Sequence, residues 1–214
     1  MTHPVPVALG VIVLAAAWLG PLPSLARGSF AAHMTMHMAV VAAAAPLLAC
    51  GLANGRFDPA RRAPGLFAPI AASIVELVVV WAWHMPALHH AARQQGAALA
   101  LEQGTFLAAG LFLWLAAIGG DAARRGAAGV AALLFTSMHM TLLGALFALA
   151  PRPLYAHAAA AGRALPALAD QHLGGVIMLL VGGASYLAGG LWLTARVLGA
   201  RPSGTGRSWS AARS

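Results

Sequence analysis

Six apolar stretches, near residues 5–20, 31–54, 67–85, 99–119, 127–150 and 171–198, make up most of the chain and are parted only by short segments of Arg, Pro and Gly. A hydrocarbon layer about 30 Å thick takes roughly 20 apolar residues per helix to cross, so each stretch has about the length of one span. Inside lipid every backbone N–H and C=O must be paired within the protein, which leaves only helices and closed barrels. These runs are too long and too weakly alternating to be barrel strands. The sequence therefore predicts an all-α, polytopic transmembrane helical bundle of about six spans over residues 1–200. Residues 201–214, rich in Ser, Gly and Arg, read as a disordered basic tail beside anionic lipid. The first stretch reads as a retained span, since no basic segment precedes it and no clear small-residue cleavage site follows it.

Charge sets the expected orientation. Only 8% of residues are charged, against about a quarter in an ordinary soluble domain. The formal net charge of +8 comes from 13 basic residues, all arginine, set against Asp58, Glu76, Glu102, Asp121 and Asp170. The arginines are scattered singly or in pairs between apolar runs, a pattern of topology signals and lipid-headgroup contacts, so no nucleic-acid partner is expected. Loops rich in arginine stay in the cytoplasm. Arg56, Arg61, Arg62, Arg124, Arg125, Arg196, Arg201, Arg207 and Arg213 fall on one side, and only Arg27, Arg93, Arg152 and Arg163 on the other. Both termini are thus expected to be cytoplasmic. The lone Cys50 lies in an apolar run, so no disulfide framework, CxxC pair or haem-attachment motif exists. Metal or redox chemistry would have to use His, Met and carboxylates.

With that orientation, eight of the nine histidines belong to the outer half or the middle of the bundle. His33 and His37 open the second helix, His84 closes the third, His89 and His90 follow in an outer loop, His157 lies in the last outer loop and His172 starts the sixth helix. His139 sits near the middle of the fifth, where a polar group needs a partner and is a functional candidate by default. His33 and His37 are four apart and project from one helical face, as a two-toothed clip for a metal ion would. Methionines share the distribution: Met34, Met36 and Met38 interleave with the histidines, and Met138 and Met140 flank His139. Thioether with imidazole favours Cu(I), while imidazole alone also suits Zn, Fe or Ni. A methionine at helical spacing is more often core filler, and a histidine in a loop more often merely solvated.

Glu76 in the third helix, Glu102 at the outer start of the fourth and Asp170 at the outer start of the sixth are the carboxylates able to orient a ligating histidine or pass a proton. Trp81, Trp83 and Trp114 read as anchors at the headgroup layer. In the last span Gly175, Gly182 and Gly189, with Gly174, Gly183 and Gly190 beside them, predict a narrow seam for close helix contact.

The HMTMHM opening of the second helix, WAWHMPALHHAA ending the third, SMHMTLLGALFALAPRPLY through the fifth and DQHLGG entering the sixth together resemble the CtaG family of membrane cytochrome c oxidase assembly factors, from His33 to about Leu193. The resemblance implies a multi-pass protein of the bacterial plasma membrane that serves haem–copper oxidase subunits and has a role in supplying them with copper. Carried across, it implies metal-handling positions at His33, His37, His84, His139 and His172, with Asp170 beside the last. Met34, Met38, Met138, Met140, Glu76 and Glu102 are possible auxiliaries from the residues themselves.

The leading expectation is therefore a copper-binding assembly factor, not an enzyme. The alternative is a haem-binding electron-transfer protein, with facing pairs such as His37 and His139 or His84 and His172 as axial ligands. A membrane metallohydrolase lacks a HExxH-like motif, and a transporter lacks a clear inverted repeat or pair of broken helices.

Overall fold

The computed structural model describes residues 3–120, 122–155 and 165–199. His157 and the 201–214 tail singled out above lie outside the described residues. The fold is helical throughout, with no strand among the described residues. We number the helices α1 (Pro4–Leu19), α2 (Leu22–Gly28), α3 (Phe30–Leu52), α4 (Pro59–Arg62), α5 (Pro69–Trp83), α6 (Pro86–Gln94), α7 (Gly96–Ile118), α8 (Ala122–Ala148) and α9 (Ala167–Gly199).

Four of these, α3, α7, α8 and α9, are long and apolar enough to cross a membrane alone; α1 with α2, and α5 with α6, make two more spans if each bent pair is taken as one. The bends have local causes. Pro21 and Pro23 follow Gly20, where the chain turns by 48°. Pro86 begins α6 and holds Met85 extended, which ends α5 and turns the chain by 71°. α3, α5, α7, α8 and α9 enclose the core, and α1 packs on the outside of α3.

The glycine seam forms as its spacing predicts. A Cβ at Gly175 would strike the backbone nitrogen of Ala148, and one at Gly144 would sit 2.7 Å from the backbone nitrogen of Leu179. The backbones of α8 and α9 therefore approach more closely than any larger residue permits, which is how helices gain contact where lipid offers no hydrophobic drive. Gly182 likewise admits Met38 and Met140, and Gly189 admits Trp114.

Two wide turns interrupt α3 and α9, at Ala39–Ala44 and Met178–Gly182. The first precedes Pro46, which has no N–H for the carbonyl of Ala42. Ser185 on α9 supplies the missing donor, its hydroxyl 2.7 Å from that oxygen. Two of the three singled-out tryptophans are not anchors at the lipid surface. Trp83 is buried and donates to the Thr105 hydroxyl at 2.9 Å, and buried Trp114 stacks on Tyr186 with centroids 5.4 Å apart. Trp83 thus satisfies both the apolar body and the polar edge of its indole inside the bundle, while Trp114 buries its ring there with Nε1 left without a hydrogen-bond acceptor.

Candidate functional site

The site is built from the start of α3. Ser29 caps the helix through its side chain, accepting from the Ala32 N–H at 3.1 Å. Asp170 from α9 takes the Phe30 N–H at 2.6 Å, the Ala31 N–H at 3.2 Å and the Ser29 hydroxyl at 2.6 Å. A carboxylate at a helix N-terminus satisfies otherwise orphaned donors and opposes the positive end of the dipole. Asp170 thus fixes the turn that carries His33 through backbone N–H groups and a hydroxyl.

Four buried imidazoles gather at this end. Nε2 of His33 lies 3.1 Å from Oε1 of Glu102 on α7, whose other oxygen accepts from the Gln103 amide at 3.2 Å. The ring of His33 meets that of His89 at 5.0 Å, and the ring of His37 meets that of His84 at 5.3 Å. His37 also stacks flat on Phe106, with centroids 3.8 Å apart. His84 ends α5 with Nδ1 2.6 Å from the Val80 carbonyl. A carbonyl only accepts, so that hydrogen bond assigns the proton to Nδ1 and leaves Nε2 with its lone pair. At His33 it is Nε2 that is engaged by the carboxyl group of Glu102, which leaves Nδ1 outside that hydrogen bond. Nδ1 of His33, both nitrogens of His37 and Nε2 of His84 are buried without a hydrogen-bond partner.

Unpaired polar atoms in a bundle core are costly, and these have the right chemistry to accept a cation. Their arrangement is one of contacting pairs: among the described residues, no group of three or more His, Cys, Asp or Glu is gathered to hold a metal ion.

The remaining candidates are distributed differently. His139 is buried with neither ring nitrogen partnered, and its ring contact is to Phe135 at 5.7 Å. His172 is half-buried, with Nε2 2.9 Å from the carbonyl of Ala150. Met34 and Met38 are buried but turned to the glycines of α9, and Met140 joins Met38 at Gly182. Met138 is 61% exposed on the outer face of α8. Met34 and Met38 thus pack on α9, although Met34 stands three residues before His37 and Met36 three after His33, which are neighbouring positions on a helix surface. Glu76 points into the bundle, where it is hydrogen-bonded to the Tyr186 hydroxyl, with the buried Thr136 hydroxyl beside it.

Two residues of the site escaped sequence reasoning. His89, placed above in an outer loop, lies buried in α6. Pro86 at the helix start and the pairing of His89 with Ala92, three residues apart on one face, are the signals that locate it; its neighbour His90 is exposed. Tyr155, in the segment after α8, closes the cluster. Its hydroxyl donates to the His84 carbonyl at 2.7 Å and its ring stacks on His89 at 4.1 Å. Burial, and then the charge of Glu102, push the phenol up, so it remains a proton donor. Gln171 holds this segment in place by accepting the Leu154 N–H at 2.7 Å.

A family model described as cytochrome c oxidase caa3 assembly factor matches residues 4–200. No curated protein and no solved structure matches the chain.

Proposed function

Because the chain belongs to the family of cytochrome c oxidase caa3 assembly factors, we propose that it holds copper as cargo at its buried imidazole cluster and makes that copper available to the oxidase. Family membership carries the association with cytochrome c oxidase and, with the membrane-spanning helices, the multi-pass placement in a bilayer. The reading adds the bacterial plasma membrane, the outer face and the metal. In this role the protein is a binding and delivery factor, not an enzyme.

One observation supports the copper reading above the others: ring nitrogens of His33, His37 and His84 are buried without partners in one region, under the cap of Tyr155. In this reading a bound ion draws the contacting pairs together into a ligand set. Imidazole suits copper among the first-row metals. Glu102, held to His33, and the Val80 carbonyl, held to His84, orient two of the rings as outer-shell partners orient metal-binding histidines. The thioether of Met38 and the side-chain stem of Met34 lie against glycines of α9, so the primary ligands in this reading are histidines. Haem has less support. Of the expected axial pairs, His37 is stacked on Phe106 while the ring of His139 meets Phe135, and Nε2 of His172 is turned to the Ala150 carbonyl.

The test is metal and optical analysis of detergent-purified protein reconstituted with Cu(I), comparing the native chain with a His33→Ala, His37→Ala double variant. The reading expects stoichiometric copper in the native chain, its loss in the variant, and no haem spectrum. A haem band without copper overturns it. In cells, deletion of the chain is expected to lower assembled oxidase activity without lowering oxidase subunit transcripts.

A further inference from the structure

At the end of the bundle opposite the imidazoles, α3 and α7 finish and α5 and α8 begin around a cleft of about 810 Å³. Arg61 and Arg125 line it, with Asn54, Gly65 and Gly120. Neither arginine is ion-paired among the described residues. Arg61 donates to the Asn54 carbonyl at 3.1 Å, and Arg125 to the carbonyls of Phe67 at 2.6 Å and Pro64 at 3.3 Å. Carbonyls orient a guanidinium without neutralising it, and each group has five N–H donors, so both keep their charge and have donors to spare.

Among the described residues, the acid near the cleft is Asp58, and its oxygens are already committed. Asp58 is fully buried and accepts the N–H groups of Asn54 at 2.7 Å, Ala60 at 2.9 Å and Gly120 at 2.8 Å. It ties the segment after α3 to the turn between α7 and α8 from behind the cleft wall. Arg56 and Arg62 add to the positive field, with Arg62 donating to the Arg56 carbonyl at 2.9 Å. Phe57 and Leu66, next to these residues in the chain, are 51% and 73% exposed. That pairing of cationic donors with exposed apolar side chains matches the layer where headgroups meet acyl chains.

We infer that the Arg61–Arg125 cleft binds a phosphate group, supplied by the headgroup of an anionic membrane phospholipid. Two planar guanidiniums beside the Asn54 side chain suit the several acceptor oxygens of a phosphate diester, which arginine grips with paired N–H bonds. A bound headgroup would bridge the α3–α5 connection, through Arg61, to the start of α8, through Arg125.

The test uses the full chain in lipid nanodiscs of phosphatidylcholine alone or with phosphatidylglycerol, and in detergent with added inorganic phosphate. The readouts are lipid retained in native mass spectrometry and the melting midpoint. Gly65 lines the cleft and a Cβ there meets no atom within 4 Å, so Gly65→Glu adds a carboxylate at the cleft with no clash at its Cβ, and Gly65→Gln is its neutral control. Phosphatidylglycerol is expected to be retained by the native chain and by Gly65→Gln, to raise their melting midpoints, and to be retained roughly tenfold less by Gly65→Glu, the worth of about one charge-assisted hydrogen bond. Arg61→Gln is expected to fall between. Stabilisation by inorganic phosphate that Gly65→Glu abolishes, with no effect of phosphatidylglycerol, would keep the phosphate site and overturn the lipid as its source. Equal retention by the native chain and Gly65→Glu, or no response to either phosphate source, would overturn the site.

Discussion

His33 on α3 and Glu102 on α7 face each other at 3.1 Å, both with about 1% of their surface exposed. The pair joins α3 to α7 across the bundle core and engages Nε2 of His33, leaving Nδ1 outside that hydrogen bond. If copper binds there, the carboxylate acts on the metal through the ring. Glu102→Gln is expected to weaken Cu(I) binding by roughly 10–100-fold, the usual cost of losing such a partner, with stoichiometry retained. Competition against a chromophoric Cu(I) chelator reads this directly, and an unchanged affinity would detach Glu102 from the metal site.

Asp170 satisfies two backbone N–H groups and a hydroxyl at the start of α3. Asp170→Ala is expected to lower stability by about 2 kcal/mol or more, from loss of the cap and of hydrogen bonds to a charged group. Asp170→Asn should recover part of that. Thermal melts in detergent measure both, and a melting midpoint unmoved by the alanine would contradict the capping role.

The Tyr186 hydroxyl has one proton and two acceptors in reach, Glu76 and the Val41 carbonyl at 3.2 Å. Tyr186→Phe leaves both without that donor. Hydrogen bonds between membrane helices are individually modest, so a double-mutant cycle of Tyr186→Phe with Glu76→Gln should give a coupling on the order of 1 kcal/mol. Additive losses would show that the two side chains stabilise the bundle independently.

Alanine substitution should have opposite signs at two glycines. At Gly175 the new methyl meets the backbone of Ala148, and overpacking of this kind costs about 1–3 kcal/mol. At Gly104 it meets nothing within 4 Å, so the helix-propensity gain of about 0.5–1 kcal/mol is free to appear. Melting midpoints of the two variants should therefore move in opposite directions from the native one.

The spans were legible in the sequence because lipid imposes a length on each apolar run, and the seam was legible because only glycine permits such close backbones. What the sequence hid depends on angles around the helix axis and on contacts between distant segments. Met34 stands next to His33 in the chain but faces α9 while His33 faces Glu102. Asp170 stands two residues from His172, yet its partners are the N–H groups of α3. In the sequence His89 falls in an outer loop because it follows the end of the third apolar run, whereas the segment from Pro86 is a short helix that buries it against the cluster. Tyr155 is separated from His84 by 71 residues, and no local pattern links them.

The wide turn at Ala39–Ala44 divides α3 into two halves that are out of phase. Each half follows the ordinary period, but the surplus residue between them offsets one from the other by about 100°. The face that carries His33 and His37 cannot be extrapolated past Val41 by counting in threes and fours. Removing one residue from that turn would bring the halves back into step while swinging the imidazoles away from Glu102 and His84. The anomaly thus works as an indexing notch: proline sets where it falls, Ser185 holds it open, and the direction in which the histidines point depends on it.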